Sequence, residues 1–189
     1  MRLHRNASIA LVVLVVLTGV APALSLAAET AAIAPFFGHY EGRTIIDGDG
    51  ETTMRDLEVT IETVAGGSDH FRINWSTIIR RSDGESKRKS YSIVFTPTPR
   101  PGIFASAMRT DMFGNAVPLD PLKGDPFVWC RIVDATLTVY ALTITDDGGY
   151  DLQVYDRTLR AGGLDLRFTR LDEGEPPVVV SAVLERTTR

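Results

Sequence analysis

Apolar and polar residues alternate with a period of two along most of the chain after Phe36. Arg55 to Val64 places Leu57, Val59 and Ile61 on one face and Asp56, Glu58, Thr60 and Glu62 on the other. His70 to Ile79 sets Phe71, Ile73 and Trp75 against Arg72, Asn74 and Ser76, and Gly163 to Leu171 sets Leu164, Leu166 and Phe168 against Asp165, Arg167 and Thr169. Successive side chains of a strand point to opposite sides, so each segment reads as a half-buried strand. Further strands are predicted over 38–46, 87–95, 103–108, 127–133, 136–145, 150–159 and 178–185, with no helical period after Phe36.

Turn residues fall where these strands should reverse: Asp47-Gly48-Asp49-Gly50, Gly66-Gly67-Ser68-Asp69, Ser82-Asp83-Gly84, Asp146-Asp147-Gly148-Gly149 and Ala161-Gly162-Gly163. Short hairpin turns make sequential strands neighbours. The fold class expected is all-β, a single antiparallel up-and-down β-barrel of about 8–10 strands, with a sandwich as the other architecture for such a count. Two segments break the rhythm. The proline-rich stretch 96–102 cannot enter a central strand, and residues 109–126 form a connection long enough to be a lid, a binding loop or a flexible excursion.

The start of the chain follows a different rule. Arg2 and Arg5 precede nine apolar residues, Ile9 to Leu17; Thr18, Gly19 and Pro22 interrupt the run, and small residues at Ser25 and Ala27 or Ala28 fit a signal-peptidase site. Residues 1–28 thus read as a cleaved signal peptide, 29–35 as a short flexible N-terminal segment and 36–189 as the barrel domain, located in the periplasm or outside the cell. An uncleaved anchor is the rival reading, since Ala7 to Ala28 could just span a bilayer. The break at Gly19 and Pro22 favours cleavage, and so no stable membrane insertion of the mature chain. An outer-membrane barrel would alternate too, but the 15 aromatic residues are not gathered into girdles at strand ends.

Composition narrows the chemistry. A lone cysteine, Cys130, can form no intramolecular disulfide and shares a face with Val128 and Ile132, so it is expected to be a buried small hydrophobe. Without Arg2 and Arg5 the chain carries 18 basic and 24 acidic residues, a net charge of about −6. This argues against nucleic acid or anionic lipid as a main partner. The basic cluster Ser86-Lys87-Arg88-Lys89 reads as a solvated sheet edge. The 17 arginines against 3 lysines point to a bacterium with a GC-rich genome.

No phosphate loop, dinucleotide fingerprint, HExxH or GxSxG motif is present. Ser86 and Lys89 have the SxxK spacing, but in a strand they face opposite sides. Asp47, Asp49, Glu51 and Glu58 match EF-hand spacing, yet Thr52 stands where the loop requires glycine. His39 and His70 have polar neighbours and read as surface residues, and Asp111, Asp120 and Asp125 as turn formers. No catalytic or metal site and no cofactor is expected.

Phe37-Gly38-His39-Tyr40-Glu41-Gly42 opens the first strand with Gly-x-aromatic. This resembles the Gly-x-Trp opening of lipocalins and related calycin-like barrels, with Tyr40 in place of the tryptophan. The resemblance implies that a basic residue of the closing strand, here Arg186, covers the aromatic ring, and that a small apolar ligand is held in the barrel mouth. On that reading Tyr40, Phe71, Trp75, Tyr91 and Phe168 line the ligand site, in an interior with few charges. Two alternatives stay open: an envelope or extracellular interaction protein with a filled barrel and an unknown protein partner, and an enzyme acting in the barrel mouth.

Overall fold

A computed structural model describes residues 33–48, 51–65, 70–107, 109–110, 116–117 and 119–188. The signal-peptide reading of residues 1–28, residues 29–32 and Asp111 lie outside the described residues. Twelve strands follow in order: β1 (Gly38–Gly48), β2 (Glu51–Thr63), β3 (Phe71–Arg80), β4 (Ser86–Pro97), β5 (Ile103–Ser106), β6 (Arg109–Thr110), β7 (Ala116–Val117), β8 (Phe127–Val133), β9 (Thr136–Ile144), β10 (Tyr150–Arg160), β11 (Gly163–Asp172) and β12 (Val178–Thr187). Ten of them close into one antiparallel barrel in the order β1-β12-β11-β10-β9-β8-β5-β4-β3-β2, while β6 and β7 pair with each other. Neighbours in the wall are neighbours in the chain except across the β5–β8 connection and the β1–β12 seam. This is the up-and-down order expected from the short turns.

Within the long connection, Pro121–Lys123 forms a 3-10 turn, capped by Asp120, whose carboxylate accepts from the Leu122 amide at 3.1 Å. Asp120 therefore acts as a turn former. Ser86 to Ile93 of β4 pair with β3, whereas pairing with β5 begins at Phe95. Among the described residues the basic cluster therefore lies along a free strand edge, where lysines discourage further pairing.

Register fixes which side chains meet inside. One inward row runs Arg186, Tyr40, Val59, Trp75, Tyr91. A second runs Val180, Phe168, Tyr155, Val139, Cys130, Phe104, and the row beside it Ala182, Leu166, Arg157, Leu137, Ile132. The core fills one half of the barrel. Phe71, Phe95 and Phe104 pack ring against ring at 5.1–5.4 Å between centroids, with Ile61, Ile73, Leu137, Val139, Leu164 and Leu184 buried around them.

That half is also capped. Ile33 and the 3-10 turn Ala34–Phe36 precede β1, and Ile33 and Phe36 are buried against the core. The Tyr40 hydroxyl donates to the Phe36 carbonyl at 2.8 Å. Arg186 lies over the Tyr40 ring at 4.9 Å and donates to its oxygen at 2.7 Å, the contact implied by the calycin resemblance. Gly38 is needed beneath it: its φ is +154°, and a Cβ would stand 2.8 Å from the Arg186 guanidinium. The opposite end is a mouth, ringed by the turns after β3, β9 and β11, where inward positions such as Lys87, Lys89 and Val178 are exposed.

Candidate functional site

Aromatic residues of β3, β4, β10 and β11 converge where the packed half meets the mouth. Trp75 of β3 stacks on Tyr91 of β4 at 5.2 Å and meets Tyr155 of β10 at 5.7 Å; Tyr155 in turn meets Phe168 of β11 at 4.9 Å. Strands β3 and β10 are separated in the wall by β4, β5, β8 and β9. The Trp75–Tyr155 contact thus crosses the lumen, and the four rings form a bar from wall to wall. Such contacts add about 0.5–1.5 kcal/mol per pair beyond area burial.

Arg157 lies on the core side of this bar. It is 1% exposed, with its guanidinium carbon 5.6 Å from both the Trp75 and the Tyr155 ring centroids. Cation–π contact with a desolvated arginine is worth on the order of 2 kcal/mol, against several kcal/mol to bury an unpaired ion. Among the described residues its Nε and Nη1 have no acceptor, and no carboxylate lies within ion-pair distance. Asp156, its chain neighbour, faces outward and accepts from Thr138 at 2.7 Å. Burial pulls the Arg157 pKa down to about 10, so the group stays cationic at neutral pH.

Nearby groups supply no counter-charge. Desolvation pushes the Cys130 thiol well above the ordinary thiol range, which holds it protonated and inert. Cys130 is fully buried, as the sequence pattern indicates. Tyr155 is pushed up to about 12, by burial first and by Tyr91 second. Its hydroxyl donates to Gln153 Oε1 at 2.8 Å.

Charged groups line the mouth side of the bar, which corrects the expectation of an interior with few charges. Gln153 and Arg170 both donate to Asp151 Oδ2, at 3.2 and 3.1 Å, and Arg170 also pairs with Asp172 at 2.7 Å. Across from them Arg55, Lys87 and Lys89 occupy inward register positions on β2 and β4. The Arg55 Nε is buried without a partner, and burial lowers its pKa. The alternation is intact here, but polar residues take inward positions because water reaches the mouth.

Of the five residues expected to line a ligand site, Trp75, Tyr91 and Phe168 meet in the bar. Tyr40 lies at the capped end, tied to Arg186 and Phe36, and Phe71 lies in the core between Phe95 and Phe104. Tyr155 and Arg157 were not among the five. The signal for both is parity: Tyr155, Arg157 and Leu159 share one face of β10, and Leu159 packs against the core.

Elsewhere the candidates are simpler. His39 faces outward with polar partners, yet it is only 8% exposed, because Thr60 at 2.7 Å and Glu41 at 3.0 Å close over it. Glu58 pairs in register with Glu41, six positions along β2 from Thr52, the partner of Asp47, and both glutamates approach His39 Nε2; Asp49 lies outside the described residues. Among the described residues no three His, Cys, Asp or Glu side chains gather to hold a metal ion, and no helix is long and apolar enough to cross a membrane. A groove of about 910 Å³ on the outer wall is lined by Arg131, Thr138, Asp156, Arg167 and Ser181 among others; these project away from the lumen. No protein-family model, no curated protein and no solved structure matches this chain.

Proposed function

We propose that this is an exported barrel of the calycin kind that binds a small amphipathic molecule in the mouth half of its lumen. The observation that carries the reading is the aromatic bar of Tyr91, Trp75, Tyr155 and Phe168, which sets apolar ring surface at the floor of a polar mouth. Tyr91 is 49% exposed although it faces inward; among the described residues it lies on the free edge of β4, where it and Trp75 border a groove of about 330 Å³ with Thr60, Asn74 and Ser90, so ring surface of the bar is open to a ligand. Small barrels either fill their interior or hold one ligand, and apolar surface with a few placed polar groups is the usual make-up of a ligand site.

The test is titration with N-phenyl-1-naphthylamine, an uncharged apolar fluorophore. Saturable one-to-one binding is expected, with quenching of Trp75 and at least a tenfold loss in a folded Trp75→Ala variant. Absence of saturable binding overturns the reading.

A second reading, a filled barrel that engages another protein, is favoured by the outer wall. Phe127, Trp129 and Tyr140 pack there in series at 5.5 and 4.8 Å, and Phe127 and Val179 are each about half exposed. Exposed apolar patches of this kind mark interaction surfaces.

A further inference from the structure

We infer that Arg157 is the receptor for a single carboxylate on the bound molecule, an inference that rests on the lumen-binding reading above. The guanidinium carbon lies over the faces of two aromatic rings, Trp75 and Tyr155. Its N–H groups point along its edges, where rings cannot accept hydrogen bonds well, and Nε and Nη1 have no other acceptor. A buried guanidinium with Nε and Nη1 unmet is suited to an oxyanion, which accepts charge-assisted hydrogen bonds in the guanidinium plane.

Among the described residues no anion reaches the Arg157 guanidinium. Asp156 faces the other way, toward Thr138. Asp151 lies on the far side of the bar, where its Oδ2 accepts from Arg170 and Gln153 and its Oδ1 is buried without a partner. The Cys130 thiol and the Tyr155 phenol are both neutral. Burying a lone cation is unfavourable in a domain that could carry leucine or methionine at the same place, so a role beyond packing accounts for it.

The mouth provides the approach. Arg55, Lys87 and Lys89 face inward with no ion pair among the described residues, and cations at a cleft entrance raise the local concentration of an anion. The head group reaches Arg157 by parting Trp75 from Tyr155, while the apolar tail stays against Tyr91, Phe168 and Val180. The number of charges follows from the register. Arg55 is four positions beyond Val59, the partner of Trp75, so a head group at Arg157 meets one guanidinium only. A monoanion matches that, and a phosphate dianion does not.

The experiment compares decanoate, decan-1-ol and decyltrimethylammonium on the whole exported chain by calorimetry and Trp75 fluorescence. Decanoate is expected to bind at least tenfold more tightly than decanol, and the ammonium more weakly still. Arg157→Met should bring decanoate down to the affinity of decanol and leave decanol unchanged, and Arg157→Lys should keep part of the preference. Equal binding of decanoate and decanol by the wild type overturns the carboxylate receptor and leaves the lumen-binding reading standing. No binding of any of the three, together with none of the uncharged fluorophore, overturns both. If Arg157→Met fails to fold, the wild-type comparison of acid with alcohol still decides.

Discussion

Arg186 joins the last strand to the first through Tyr40, lying 4.9 Å over its ring while donating to its hydroxyl at 2.7 Å. The same guanidinium donates to the carbonyls of Phe37 at 2.6 Å and Pro35 at 3.0 Å, so one side chain ties the cap segment, β1 and β12 together. Arg186→Met is expected to cost about 2–4 kcal/mol, from one cation–π contact and three charge-assisted hydrogen bonds, two of them weakened by exposure to solvent. Tyr40→Phe should cost less, about 1 kcal/mol. Urea denaturation of the three proteins gives the order directly.

Strand β12 leaves no room for side chains at a glycine of each neighbour, Gly42 of β1 and Gly163 of β11. A Cβ on Gly42 would stand 2.3 Å from the Val183 carbonyl oxygen, and one on Gly163 2.0 Å from that of Leu184. Both obstacles are backbone of β12, which cannot swing aside as a side chain can. Gly163→Ala is expected to lose roughly 2–3 kcal/mol, at the upper end of overpacking costs, seen as a drop of several degrees in Tm.

Alkaline pH should destabilise the barrel in a traceable way. The Cys130 thiol is raised in the folded state, so its contribution is fully present below the unfolded thiol pKa of about 8.5 and is lost as pH rises above it. Tyr155, raised to about 12, adds a second loss from about pH 10 upward. Each group contributes a slope of up to about 1.4 kcal/mol per pH unit. The urea midpoint should fall between pH 8.5 and 10, and Cys130→Ala should flatten that part of the curve. At neutral pH the thiol should react slowly with a maleimide in the folded protein and quickly in denaturant.

Phe71 and Tyr91 should separate packing from binding, although both face inward. Phe71 is fully buried between two other rings, and Phe71→Ala should cost about 3–5 kcal/mol. Tyr91 is half exposed, and Tyr91→Ala should cost less, about 1–2 kcal/mol, while weakening the uncharged fluorophore severalfold. Thermal unfolding and titration of the two variants would show opposite rankings.

The strands were readable because most of them keep apolar and polar residues on separate faces, as β2 does with Leu57, Val59 and Ile61 against Asp56, Glu58 and Thr60. Strand β10 does not. Its inward face carries Asp151, Gln153, Tyr155, Arg157 and Leu159, and its outward face Leu152, Val154, Asp156 and Thr158, so neither side declares itself by hydrophobicity. Parity with Leu159 is its one sequence signal, and the register with Leu137 and Leu166 turns Arg157 inward. The Trp75–Tyr155 contact was hidden for another reason: it spans the lumen, and no period along one strand encodes what lies across from it. Alternation also put Tyr40 and Phe71 on the right face without saying which end of the barrel is packed.

The β1–β12 seam sets the timing of folding. Tyr40 and Arg186 are 146 residues apart, and every other pairing in the wall can form before they meet. Until β12 pairs, β1 and β11 each expose a row of unpaired backbone groups, the kind of edge that recruits other chains. A barrel sewn shut by its final strand has high contact order and folds late, so its greatest exposure to aggregation falls just before its C-terminal strand is in place.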